Sequence, residues 1–208
     1  MLDPQEVHSP EGSRRIGPWS VLASREIYAN PWISVREDRI LHPNGEPGIY
    51  GVVSYRNLAV GVVAIDEAGD VILVGQHRYP FDAYSWEIPE GGCPAGREMP
   101  LQAARRELKE EAGIVAARFD YLGCLALSNS VSDEVAHLFL ARELTQGASE
   151  PDASEVIAIR KMDFQEACRQ AEAGEMNESI SVAALLRARY WLQCESAGLP
   201  MPRYRETP

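Results

Sequence analysis

Three glutamates and an arginine lie within one short run of the 208-residue chain, Arg106-Glu107-Leu108-Lys109-Glu110-Glu111. On a helix, Glu107 and Glu111 stand at i and i+4 and project from one face, with Glu110 beside them. Three carboxylates in one turn repel each other unless a cation sits among them. Hard oxygen donors without Cys or His favour Mg2+ or Mn2+, which bridge in turn to phosphate oxygens. Arg106 can pair with Glu110 one turn on, or with Glu98 from the preceding loop. Gly92 permits a tight turn before the helix, and Gly113 can take a positive φ to end it. Leu101, Ala104 and Leu108 fall on the stripe expected to enter the core. The plain alternative is a solvated helix face laced with i,i+4 pairs. It leaves the register of Gly92, Glu98 and Gly113 unexplained.

From Gly92 to Ile114, the segment GCPAGREMPLQAARRELKEEAGI fits G-x5-E-x7-R-E-U-x-E-E-x-G-U, with U a bulky aliphatic residue, at every fixed position. That is the Nudix box, and the chain resembles the Nudix hydrolases. The resemblance implies an α/β (α+β) fold, an α/β/α sandwich with a mixed sheet plus a small N-terminal β segment. It also implies metal-dependent hydrolysis of a nucleoside diphosphate linked to another moiety. Carried onto this chain, Glu107 and Glu111 would be direct metal ligands, and Glu110 a further ligand or a support behind them. The backbone carbonyl of Gly91 would be an additional ligand, while Glu98 and Arg106 would brace loop and helix.

Features outside the box are similar to the ADP-ribose pyrophosphatase-like subgroup, which includes nucleoside diphosphate sugar hydrolases. These are Gln76-His77-Arg78-Tyr79-Pro80 at a strand end, Trp86-Glu87-Ile88-Pro89-Glu90-Gly91-Gly92 leading into the box, and a β-rich segment before residue 57. In that subgroup the N-terminal segment helps to form a homodimer, and substrate sites draw on both subunits. Arg78 offers a guanidinium fork for phosphate or terminal ribose, or simply caps a strand end. Glu87 would accept from ribose hydroxyls, or partner a nearby arginine. Trp32, or Trp19, would stack on a nucleobase, although an aromatic in a strand equally suits a core or a dimer interface. Asp133 and Glu134 would bind a sugar hydroxyl or assist catalysis, or belong to a solvated turn. The subgroup's base is a glutamate on a loop after the box. Glu155 is the best positional match, with Glu150, Asp152 and Glu110 as rivals, so Glu155, Glu110 and Glu111 are the catalytic candidates.

The expected reaction is hydrolysis of the pyrophosphate bond of ADP-ribose or a related nucleoside diphosphate sugar, giving a nucleoside monophosphate and a sugar phosphate. ADP-ribose-specific members carry a proline shortly after the box, and Leu127–Glu134 contains none, so GDP-mannose and ADP-glucose stay open. A catalytically silent nucleotide sensor would usually have lost a box glutamate, and all are kept here. RNA decapping or triphosphate clean-up uses the same box, but the N-terminal segment and the acidic charge argue against it.

With 20 basic and 31 acidic residues, the chain carries a net charge of −11. Such a balance excludes a broad phosphate-holding surface, hence no nucleic-acid partner and no adhesion to anionic membranes. Four cysteines without a CxxC pair read as reduced thiols, and the N-terminus has no apolar signal region, so a cytoplasmic protein is expected. Residues 1–17 read as a flexible tail, 18–57 as the dimerising β segment, 58–195 as the hydrolase domain and 196–208 as a C-terminal tail.

Strand patterns fall at Ser20–Tyr28, Ile33–Leu41 and Gly48–Ser54, with Asn44-Gly45 as a hairpin turn. Leu58–Ile65 and Asp70–Gly75 read as a second hairpin, and Tyr79–Gly96 as an irregular Pro- and Gly-rich stretch. After a helix at about 99–112 come strands at Tyr121–Leu127, Val135–Ala141 and Glu155–Lys161. Helices follow at Phe164–Ala173, closed by Gly174, and at Val182–Trp191, capped by Ser179 or Ser181.

Overall fold

The computed structural model describes residues 14–147 and 156–207, which fall into two compact units. The first combines residues 14–56 with 127–134, and the second combines 57–126 with 135–207.

In the first unit, β1 (Arg14–Ile16), β2 (Trp19–Ala29), β3 (Ile33–Leu41) and β4 (Pro47–Tyr55) form an antiparallel sheet in sequential order. The β3–β4 turn falls at Asn44-Gly45, where Gly45 takes φ 84° and its N–H donates to the His42 carbonyl at 2.8 Å. Arg14–Ile16, assigned above to a loose tail, pairs with β2 instead; the rest of that tail, residues 1–13, lies outside the described residues. The 127–134 loop joins this sheet through Val53 N–H to Val131 O and Tyr50 Oη to Ser130 O.

Among the described residues, the second unit holds two sheets and three helices. One sheet is mixed, in the order β8 (Glu90–Pro94), β5 (Asn57–Ala64), β10 (Val135–Gln146), β9 (Ile114–Ala126), with β5 and β10 parallel. Helix α1 (Pro100–Ala112) buries Ala103, Ala104, Leu108 and Ala112 against Val60, Val62 and Phe139 on one face of this sheet. On the opposite face Gly61 meets Ile180 of α3 (Ser179–Ser196), so helices cover both sides. The other sheet orders β11 (Ala158–Asp163), β6 (Asp70–Arg78) and β7 (Ala83–Glu87), and α2 (Phe164–Ala173) follows it. The expected mixed sandwich is therefore present.

Several elements differ from expectation. The turn between β5 and β6 forms, with Gly69 N–H on Asp66 O, but the strands then part into different sheets. Runs such as Val60–Ala64 and Val71–Val74 are buried on both faces, and each is satisfied by partners distant in sequence rather than by its neighbour. The stretch after Arg78 contains β7 and β8, which its glycines and prolines hid. Leu101 is 38% exposed rather than core, because the buried stripe runs one turn further along through Ala103 and Ala104. The cap of α3 is Glu178, whose carboxylate accepts from the N–H groups of Ile180 and Ser181, while buried Ser181 Oγ accepts from Ile88 N–H. Residues beyond α3 pack back: Tyr204 stacks on Trp191, and the Arg205 carbonyl accepts from Tyr121 Oη. All four cysteines are free thiols. Among the described residues, no helix is long and apolar enough to cross a membrane.

Candidate active site

Pro100 opens α1 and suits its first turn because it lacks an N–H that would go unsatisfied, and Gln102 Oε1 accepts from Met99 N–H at 3.2 Å. Gly113 ends the helix at φ 66°, with its N–H on the Lys109 carbonyl. Between these stops the acidic face lies along β8, and two arginines organise what meets there.

Arg106 is the first. Its Nη2 donates to the Gly92 carbonyl at 2.7 Å and to Glu98 at 3.0 Å, while Nη1 donates to Glu107 at 2.8 Å and Glu110 at 2.9 Å. Both pairings anticipated for Arg106 thus occur together, and the hydrogen bonds that it donates to Glu98 above all hold its guanidinium firmly charged. A Cβ on Gly91 would collide with the Glu107 carboxylate, so this glycine is what lets α1 lay an acid against β8. Glu111 is buried at 5% exposure, and its Oε2 accepts from Glu90 N–H at 2.9 Å.

The second is Arg78, at the end of β6. Its Nε donates to both oxygens of Glu87 at 3.1 and 3.0 Å, and its Nη2 reaches both Glu87 and Glu90. Glu87 is 1% exposed, so its observed role is the arginine partner set out above. Burial opposes the Arg78 cation, but Glu87 and Glu90 outweigh it and keep the group charged. Burial, then the nearby Glu178 carboxylate, push Glu90 well above the ordinary carboxylate range. Glu90 Oε2 is buried without a hydrogen-bond partner among the described residues. Neither Glu90 nor Glu178 was singled out from sequence. The only signal for Glu90 was a charge inside an otherwise apolar, glycine-rich lead-in.

The structure thus gathers Arg78, Glu87, Gly91, Glu107, Glu110 and Glu111 in the second unit. Trp32 and Glu134 belong to the first. Trp32 is 68% exposed, and its N–H donates to Asn30 Oδ1. Partial burial and the hydrogen-bonded Glu134 carboxylate raise the Tyr55 hydroxyl above its usual range. Asp133 accepts from Tyr55 N–H at 2.9 Å, so it fastens its loop to β4. Trp19 packs edge-on to Tyr50. Glu155, Glu150 and Asp152 lie outside the described residues.

Among the described residues, no three carboxylate, imidazole or thiol groups converge as a finished metal cage. Glu107 is turned onto Arg106 and Glu111 onto a main-chain N–H. The donor set nonetheless fits a hard divalent cation: it is all oxygen, its acids share one helix face, and the Gly91 cradle holds Glu107 against the strand.

Comparison with known proteins finds matches along most of the chain. Residues 55–184 match the family described as NUDIX domain, and residues 19–53 match the nucleoside diphosphate sugar hydrolase N-terminal domain. The chain is similar to the ADP-ribose pyrophosphatase of Bacillus subtilis (strain 168), 29% identical over 79% of this chain and 89% of that protein. It is also 29% identical to the ADP-ribose pyrophosphatase of Mycobacterium tuberculosis, over 91% of this chain and 90% of the relative. A crystal structure of an ADP compounds hydrolase superposes with a TM-score of 0.78 at 23% identity, covering 88% of this chain and 98% of the other.

Proposed function

Because this chain belongs to the Nudix family, whose domain covers residues 55–184, we propose that it hydrolyses the pyrophosphate bond of ADP-ribose or a related nucleoside diphosphate sugar. One nucleoside monophosphate and one sugar phosphate leave per turnover. The observation that carries the reading is the acidic face of α1 seated on β8, with Glu107 over Gly91 and Glu111 held by Glu90 N–H. Relatives named for ADP-ribose hydrolysis and the N-terminal match at residues 19–53 support the substrate class.

Nudix hydrolases work with a divalent cation, here Mg2+ or Mn2+. Glu107, Glu111 and the Gly91 carbonyl would hold it, with Glu110 a further ligand or a support. When bound, the cation would neutralise charge on the diphosphate and so favour attack by water. The protein's own residues do the rest. Arg106 keeps Glu107 and Glu110 in register, and Arg78 presents a cation to the phosphate or terminal ribose beside Glu87. Glu155 takes the proton of the attacking water, being the glutamate best placed in sequence to do so, with Glu110 and Glu111 as the acids nearest the helix face. Trp32 stacks on the base, and Glu134 receives a sugar hydroxyl.

The active form is a homodimer built on the N-terminal segment 18–57. Supporting this, Ile27, Tyr28 and Ile49 on that sheet and Trp32 in its β2–β3 turn are each more than half exposed, apolar side chains that a second copy would cover. Four free thiols suit a reducing cytoplasm.

The test is a panel of ADP-ribose, ADP-glucose, GDP-mannose, a diadenosine polyphosphate and nucleoside triphosphates with Mg2+, followed by monophosphate release. Diphosphate-linked sugars should turn over and triphosphates poorly. Turnover confined to triphosphates would overturn the assignment.

A further inference from the structure

Arg78 and the acidic face of α1 belong to different sheets of the second unit. Arg78 ends β6, whereas the helix lies on the sheet that contains β8. Glu87 is on β7, the hydrogen-bonded neighbour of β6, so its grip holds Arg78 within its own sheet. Glu90 reaches across. Its carboxylate accepts from Arg78 Nη2, and its main-chain N–H donates to Glu111 Oε2 at 2.9 Å. The next residue, Gly91, receives the Glu107 carboxylate. Opposite Glu90 in register is Gly61, where any side chain would strike Ile180 and Ile88, so β5 lies close against α3 beside Glu90. Among the described residues the second carboxylate oxygen of Glu90 is buried without a partner, an unfavourable placement that an apolar residue would avoid. Rules of this kind are broken where geometry serves function.

We propose that Glu90 is a positioning residue that fixes the Arg78 guanidinium relative to Glu107 and Glu111, and so sets the distance between the anion-binding and cation-binding ends of the site. The inference rests on the pyrophosphohydrolase reading above. It assigns Glu90 no contact with substrate or metal.

The experiment uses the full chain with Glu90→Ala, Glu90→Gln, Arg78→Gln and the Arg78→Gln/Glu90→Ala double variant. It measures kcat and KM on ADP-ribose, Mn2+ affinity by electron paramagnetic resonance without nucleotide, and thermal midpoint. Glu90→Ala should raise KM about tenfold with a smaller change in kcat. Its Mn2+ affinity should stay within about twofold of the parent, because the main-chain N–H and both α1 glutamates remain. Glu90→Gln, whose amide oxygen still accepts from Arg78, should recover most of KM. The double variant should be no worse than Arg78→Gln alone, because Glu90 acts through that arginine.

Independent, multiplying effects of the two substitutions would overturn the proposal. So would a Glu90→Gln variant as impaired as Glu90→Ala, or a tenfold loss of Mn2+ affinity in both, on the order that removal of a direct ligand or its support brings. If the alanine variant does not fold, Glu90→Leu fills the buried volume and carries the same comparison. A parent chain that cleaves no diphosphate sugar would sink the functional reading instead, whereas an active parent with an unchanged KM in Glu90→Ala would sink this inference alone.

Discussion

The two arginine clusters of the hydrolase unit use the same chemistry in opposite settings. Arg106 and Arg78 are about equally exposed, at 35% and 33% of their side chains. Their acids are not. Glu98, Glu107 and Glu110 around Arg106 are 21%, 13% and 40% exposed, whereas Glu87 and Glu90 around Arg78 are 1% and 12% exposed. A partly wet cluster can exchange partners at little cost: Glu107 is as buried as Glu90, but when it leaves Arg106 for a cation the wetter Glu98 and Glu110 keep the guanidinium paired. A dry one cannot, because an acid stripped of its arginine stays buried and unpaired. The first cluster is therefore suited to chemistry and the second to holding geometry.

Substitutions can break that contrast. The largest effect is expected from Glu111→Gln, which keeps shape but removes a charge from the acidic face. Turnover should fall by roughly two to four orders of magnitude, while the melting temperature stays close to the parent's. Steady-state assays beside a thermal melt check both halves. Next comes Glu87→Ala in the dry cluster, which should cost about 2–4 kcal/mol of stability, read from the shift of a urea midpoint. A loss there no larger than that of Glu98→Ala would erase the distinction between the clusters.

Gly91→Ala sharpens it further. The new methyl meets the end of a flexible side chain rather than backbone, so stability should change by under about 1 kcal/mol. Activity should still fall roughly tenfold or more as Glu107 is displaced, since a small misplacement of a positioned group is costly.

A third buried group, outside both clusters, responds to acid. Burial lowers the pKa of His137, whose Nδ1 shares a hydrogen bond with Tyr121 Oη. Its folded value lies below the unfolded value of about 6.5, so the unfolded chain binds the extra proton first. Its stabilising contribution is complete above that pH and is lost as pH falls through the window below it. In His137→Gln, the part of the stability loss between about pH 7 and 5 that belongs to this group should vanish. The smallest effect is expected for Leu101→Ala, within about 0.5 kcal/mol, because that side chain is 38% exposed.

The same contrast explains what the sequence revealed. Around Arg106, helical spacing was enough to pair it with Glu110 and one preceding loop with Glu98, whereas its contacts to Glu107 and the Gly92 carbonyl depend on how the helix seats on β8. Arg78 meets Glu87 across the β6–β7 pairing and meets Glu90 between sheets. No periodicity in Tyr79–Gly96 announces either strand. The β5–β6 turn was readable from Asp66 to Gly69, but whether strands stay together after a turn depends on partners such as β10, some eighty residues on. Helix ends were legible where glycine marked them, at Gly113 and Gly174, and were misread where a glutamate did a serine's work, at Glu178. Arg14–Ile16 joined its sheet through main-chain pairing with β2, for which polar side chains leave no trace.

Whether the α1 acids clasp a divalent ion is read by titrating Mn2+ into the parent chain and into Glu107→Gln/Glu111→Gln without nucleotide, with free Mn2+ followed by electron paramagnetic resonance. The parent should bind saturably and the double variant should lose about a hundredfold or more in affinity, both proteins remaining folded. Equal Mn2+ affinity in the two would contradict cation binding by these acids.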